Sequence, residues 1–236
     1  MIALIKKDLS FLFKSSIGYL YILTFFSFSY WYYSKYIFIH DQATMTSFFY
    51  ISHLLLLVLI PAITMRSWSE DKRSGMLDFL KTFPLTEWEH ILSKFASALL
   101  FFLLILVSTL PLIILPIYFG NPDIGLIVSG YIALFLLGSS LISIGLFTSS
   151  LTKNQMLSFL FSLGINYGFY FLSTPLFINS MPSYISRFSQ LFSINYHYTY
   201  LSKGVLDFHS AFFFILLTFF FLFLNNIVFH YQRAQP

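Results

Sequence analysis

The sequence predicts an all-α polytopic membrane protein with six transmembrane helices, on three observations. Apolar residues fill 58% of the 236 positions and charged residues 9%, with a mean hydropathy of +0.79, which is more apolar surface than a soluble core can bury. The apolar residues fall into six runs, each near the roughly 20 residues that a bilayer crossing needs. About half of the charged side chains are gathered in one stretch, Arg66 to Lys94, between the second and third runs. A chain of this length makes a single helical bundle over residues 1–236, with no room for a soluble domain beside it.

The first element, residues 1–14, reads as a short amphipathic helix. Lys6, Lys7, Asp8 and Lys14 interrupt it, so it lacks the uninterrupted apolar stretch and cleavage site of a signal peptide, and the first span is expected to stay as an anchor. The runs then cover Ile17 to Tyr33, Met45 to Met65, Phe95 to Phe119, Ile124 to Leu151, Met156 to Leu176 and Ala211 to Phe229. Pro111 and Pro116 lie inside the third run, where a missing amide and a ring clash predict a kink. With the N-terminus inside, ten Lys and Arg fall on inner segments and only Lys35, Arg187 and Lys203 on outer ones. That bias puts both termini and the loop at residues 66–93 in the cytoplasm. The outer segment, residues 178–208, carries Tyr184, Phe188, Phe192, Tyr196, Tyr198 and Tyr200, aromatic rings suited to headgroup depth in short interfacial helices.

Within the island, polar residues from Ser69 lead to Gly75, and then Met76, Leu77, Phe79 and Leu80 alternate with Asp78 and Lys81. The stretch from Ser69 to Phe83 predicts a helix with one apolar and one charged face, ended by Pro84. Thr86 and Glu89 then have the spacing of a capping box opening the next helix. A bare connecting loop needs no such charge density; the island reads as a docking surface. Glu70, Asp71 and Arg73 are the candidate polar contacts, with Met76, Phe79 and Leu80 as apolar anchors.

Other chemistry is sparse. No cysteine is present, which removes disulfides and thiolate metal sites. No G-x-x-x-x-G-K-[ST] phosphate loop occurs, so the chain supplies no nucleotide cradle of that kind. The spans hold no Asp, Glu, Lys or Arg well inside them, which argues against carboxylate-coupled proton transport. His53 is the clearest interior ionisable group, read first as a histidine held in the bundle and second as a path-lining one. Gly138, Ser139, Ser143, Gly145, Ser149 and Ser150 leave small surfaces on the fourth span, which favour close helix packing. Ser139 and Ser143 there, and Asn166 in the fifth span, are also candidate path-lining groups. His197 and His209 without neighbouring carboxylates make a poor metal site. No Ser, His and Asp arrangement is expected at one depth, so no catalytic site is expected.

The order Glu70, Lys72-Arg73, Gly75, Asp78, Leu80, Pro84 and Lys94, directly after Pro61-Ala-Ile-Thr-Met65, resembles the type-2 family of ABC export permeases. Lys6-Lys7 before Ser16-Ile17-Gly18-Tyr19, the run Leu59 to Ser67, the stretch Gly145 to Gln155 and Asn195-Tyr196-His197-Tyr198 make the chain similar to that family's gliding-motility-associated permease branch. Met76 stands where the family usually has Thr, and Asp78 where it usually has Glu. The resemblance implies a bacterial inner-membrane exporter subunit. Residues 1–14 would be an elbow helix along the inner leaflet and Ser69 to Phe83 would include a coupling helix seated on a separate ATPase, at Glu70, Asp71, Arg73, Gly75, Met76, Asp78, Phe79, Leu80 and Pro84. ATP and Mg would sit on that partner and no cofactor on this chain. A second permease chain, identical or a sister, and membrane lipids complete the expected partners, with no nucleic acid among them. A membrane scaffold that recruits a cytoplasmic partner without transport stays open as the alternative.

Overall fold

Apolar sequence that cannot hand its amides to water forms helices, because a helix satisfies each N–H and C=O within its own segment. In the computed structural model, residues 2–40, 44–76, 86–120, 122–204 and 207–234 are described, and the described residues hold helices and connecting turns without strands. The order is α1 (Ile2–Lys14), α2 (Ser16–His40), α3 (Thr46–Thr64), α4 (Ser69–Arg73) and α5 (Glu87–Ser108), then a 3₁₀ turn (Leu110–Ile113) and α6 (Ile114–Phe119). α7 (Ile124–Leu151), α8 (Gln155–Phe171), α9 (Pro175–Ser180), α10 (Ser183–Leu191), α11 (Ile194–Leu201) and α12 (Phe208–Ala234) follow.

Among the described residues, four stretches are long and apolar enough to cross a membrane: Thr46–Arg73, Glu87–Tyr118, Ile124–Leu151 and Phe208–Tyr231. A fifth is the bent pair Leu4–Lys14 and Gly18–Tyr36, if the two count as one span. Six separate spans were expected, and two of the runs behave differently. α2 is rich in Tyr and Ser, and its apolar character suffices only together with α1. The run Met156 to Leu176 is broken: α8 ends at Phe171 and Pro175 opens α9. The 17 residues of α8 rise roughly 26 Å, short of a hydrocarbon core of about 30 Å. The third run is interrupted as its prolines predict, with the 3₁₀ turn carrying Pro111.

α7 is the centre of the bundle. It packs against α3, α5, α8, α11 and α12, and α4 rests on its last turn. Its small residues permit this: a Cβ on Gly145 would lie 1.9 Å from Thr64 Oγ1, so only glycine lets α3 come this close. Phe48, Phe49, Leu56, Phe101, Leu134, Leu141, Phe214 and Phe221 fill the seams between α3, α5, α7 and α12. Segment 178–208 consists largely of short helices, with α11 buried against α7 and α12.

Candidate functional site

α3 does not stop at the end of its apolar run; it turns through residues 65–68 into α4. The link is held from across the fold. Ser149 Oγ, on the last turn of α7, accepts from the amides of Trp68 (3.0 Å) and Ser69 (3.1 Å) and donates to the Met65 carbonyl (3.0 Å). One hydroxyl therefore meets the last turn of α3 and the first amides of α4, groups that a helix leaves without internal partners. Lys72 adds a second tie by donating to the Ser150 carbonyl.

α5 contributes a third. Its helix begins at Glu87, well before the apolar run, under the expected capping box: the Glu89 amide donates to Thr86 Oγ1 at 3.4 Å and the Thr86 amide to Glu89 Oε2 at 2.9 Å. Lys94 is thereby placed about two turns inside a helix rather than at its mouth. It is 8% exposed. Its Nζ pairs with Asp71 Oδ2 at 2.5 Å, donates to the Ser67 carbonyl at 2.7 Å and lies 4.8 Å from the centre of the Trp68 ring. Trp68 is fully buried against Phe229 of α12, with ring centres 5.0 Å apart. α4 is thus continuous with α3, tied to α7 by Ser149 and Lys72, and tied to α5 by Lys94.

The predicted docking residues divide accordingly. Arg73 and Gly75 are exposed, and Gly75 takes φ +73°, the left-handed conformation that ends α4 without a Cβ penalty. Asp71 is turned inward to Lys94, and Glu70 and Met76 are half-buried. Asp78, Phe79, Leu80 and Pro84 lie outside the described residues. In the sequence Ser149 stands out only for its small size, because a hydrogen-bond partner some 80 positions away leaves no local signal.

Of the candidate interior groups, His53 and Asn166 come to the same seam, between α3 and α8. His53 is buried between Tyr198 and Tyr170, with ring centres 4.3 and 5.6 Å away. Tyr198 reaches past it to donate to the Phe49 carbonyl at 2.8 Å. One turn along α3, Asn166 Nδ2 donates to the Leu57 carbonyl at 3.3 Å. Ser139 and Ser143 lie elsewhere: both donate to carbonyls of α7 itself at 2.7 Å, and Ser139 also meets Thr218 Oγ1 of α12 at 3.4 Å.

One expectation is corrected outright. A serine, a histidine and an aspartate do meet, because α11 packs on the first turn of α12. Ser210 Oγ lies 2.6 Å from Asp207 Oδ2 and 3.1 Å from His197 Nδ1. The serine sits between the other two, and His197 Nε2 is already engaged by the Leu191 carbonyl at 3.0 Å. Asp207 also accepts from the His209 and Ser210 amides, which makes the group the N-terminal cap of α12. These hydrogen bonds hold the Asp207 carboxyl below the usual carboxylate range, first through Ser210, while burial lowers His197 from its ordinary value.

The class that this geometry defines, over the described residues, is an all-helical protein with four or five helices that fit membrane spans, carrying a short charged helix clamped at one end of the bundle. No protein-family model and no curated protein matches the chain.

Proposed function

We propose that this chain is the membrane-spanning permease subunit of an ATP-binding cassette transporter of the type-2 export class. On this reading it has six spans, α1 as an elbow helix, and a coupling segment that begins at α4 in the cytoplasm of a bacterium, with the spans in the inner membrane. The observation that carries the reading is the three-way clamp on α4. A push delivered to exposed Arg73 and Gly75 passes to α3 through the chain, to α7 through Ser149 and to α5 through Lys94. A coupling element needs such rigid attachment to several spans at once, and a passive loop does not.

In the mechanism, two permease chains carry two ATPase subunits. Closure of the ATPase pair drives both α4 segments, and the spans rock so that a path between the permease chains opens outward. A partner shifts that equilibrium only by its difference in affinity for the two conformations. His53 and Asn166 at the α3–α8 seam, with Ser139 and Ser143 on α7, are the groups proposed to lie along or near the path.

The test is capture of a candidate ATPase by the protein in lipid nanodiscs, followed by ATP hydrolysis. Wild type should capture the ATPase and stimulate hydrolysis, and a Glu70→Lys/Arg73→Glu variant should lose both. Capture that is intact in the variant would remove these residues from the docking surface. Capture without any stimulation of hydrolysis would favour the scaffold alternative.

A further inference from the structure

The charges of α4 divide by direction. Glu70 and Asp71 face the side shared with α1 and α5, where Asp71 pairs with Lys94, whereas Lys72 and Arg73 face α7 and α8. On that second side a cavity of about 660 Å³ opens between the end of α3, the end of α4 and the start of α8, within the usual range for small-molecule sites of about 300–1,000 Å³. Arg73 and Lys153 reach it as exposed cations, and Met65, Met156 and Phe159 give it an apolar side. No carboxylate of the described residues lies on its wall, and none pairs with Arg73 or Lys153. Asn154 Oδ1 is already committed to the Met156 amide at 2.9 Å, as the cap of α8. Lys72, held on the Ser150 carbonyl, adds positive charge beside the cavity. The apolar side does not end at the rim. Met156 is exposed, and Leu157 and Leu160 continue an exposed apolar flank along α8.

We infer that this cavity binds the headgroup of an anionic phospholipid, as in phosphatidylglycerol. The phosphodiester accepts from Arg73 and Lys153, and the acyl chains leave along Met156 and Leu160. Arginine and lysine offer only donors and suit a phosphate, and both side chains stand open to a ligand. A zwitterionic headgroup brings an ammonium as well, which these cations repel and which no carboxylate on the wall receives. The depth agrees: Met65 closes the apolar run of α3 and Lys153 lies two residues beyond α7, where charges mark the headgroup level. A basic pocket at the end of membrane helices suits an anionic lipid. The continuous apolar flank of α8 favours an amphiphile over an acidic soluble protein. The inference needs only that α3 and α7 cross a bilayer, and it does not rest on the permease reading.

The experiment is native mass spectrometry of the purified full chain, delipidated and then supplied in turn with dioleoyl phosphatidylglycerol and dioleoyl phosphatidylcholine, with no ATPase present. Wild type should retain the glycerol lipid about 25-fold better, about fivefold for each cation at the headgroup. Arg73→Gln and Lys153→Gln should each reduce the preference to about fivefold, and the double variant should abolish it. Lys203→Gln, which removes the same charge between α11 and α12, should leave it unchanged. Equal retention of the two lipids by wild type overturns the proposal without reference to any variant, and so does an undiminished preference in the double variant. Displacement of phosphatidylglycerol by millimolar inorganic phosphate would make the cavity a soluble-anion site and overturn the lipid assignment. Equal lipid retention with capture of a poly-glutamate peptide that needs Arg73 and Lys153 would make it a protein-docking surface instead. ATPase capture, measured in a separate preparation, reads the permease proposal on its own.

Discussion

Asn166 donates its side-chain amide to the Leu57 carbonyl at 3.3 Å, and that carbonyl is the one Pro61 leaves without its helical partner. Proline has no N–H to return four residues along α3, so the neighbouring helix supplies one. Replacing Asn166 with Leu should cost about 1–2 kcal/mol of stability, as for other interhelical hydrogen bonds at the upper end of their range. In a Pro61→Ala background, where the helix can restore its own bond, the same change should cost markedly less. Equilibrium unfolding in detergent of the four proteins in this cycle decides it, and equal losses in both backgrounds would break the link.

Lys94 and Asp71 are not symmetrical partners. Removal of Lys94 as Met strands a largely buried carboxylate, at a cost of about 3 kcal/mol. Asp71→Asn leaves Lys94 with the Ser67 carbonyl and the Trp68 ring, and should cost about 1 kcal/mol. The double variant Lys94→Met/Asp71→Leu should recover most of the larger loss. Thermal unfolding of the three variants checks the order, and a Lys94 variant as mild as the Asp71 variant would contradict it.

The His197 network carries a pH dependence. The Leu191 carbonyl can only accept, so Nε2 holds a proton, and burial keeps the neutral ring favoured. His209 opposes a positive charge there and Asp207 favours one, while Ser210, Tyr196 and Phe213 complete the ring's surroundings. The folded value is lowered from 6.5, so the stabilisation is fully present above pH of about 6.5 and is lost as pH falls through the folded value. Melting temperature measured from pH 7.5 to 5 should therefore decline for wild type, and His197→Gln should flatten part of that slope. A slope identical in both proteins would assign the effect to other groups.

Much of this was legible in the chain. Most of each apolar run lies in helix and the capping box at Thr86 and Glu89 opens α5, whereas the helix expected from Ser69 to Phe83 gives way after Arg73, because Gly75 takes a positive φ. The Asn166 bond had an unread signal, since a proline inside an apolar run announces one orphan carbonyl and a polar side chain on another run can serve it. The meeting of His197, Ser210 and Asp207 was misjudged because its members come from two helices whose relative placement no local pattern specifies.

By itself the sequence determined what composition and short-range spacing control: the helical class, the approximate apolar segments and the charged island. Tertiary structure alone decided which residues hold the island, because Ser149, Lys94 and Trp68 act through contacts made only once α7, α5 and α12 have packed. It also decided that the fifth run breaks before Pro175, with α8 ending at Phe171. The physical reason is range. Helix formation is settled within a few residues by backbone hydrogen bonding, whereas the partner of a buried polar group is whichever distant segment close packing brings beside it.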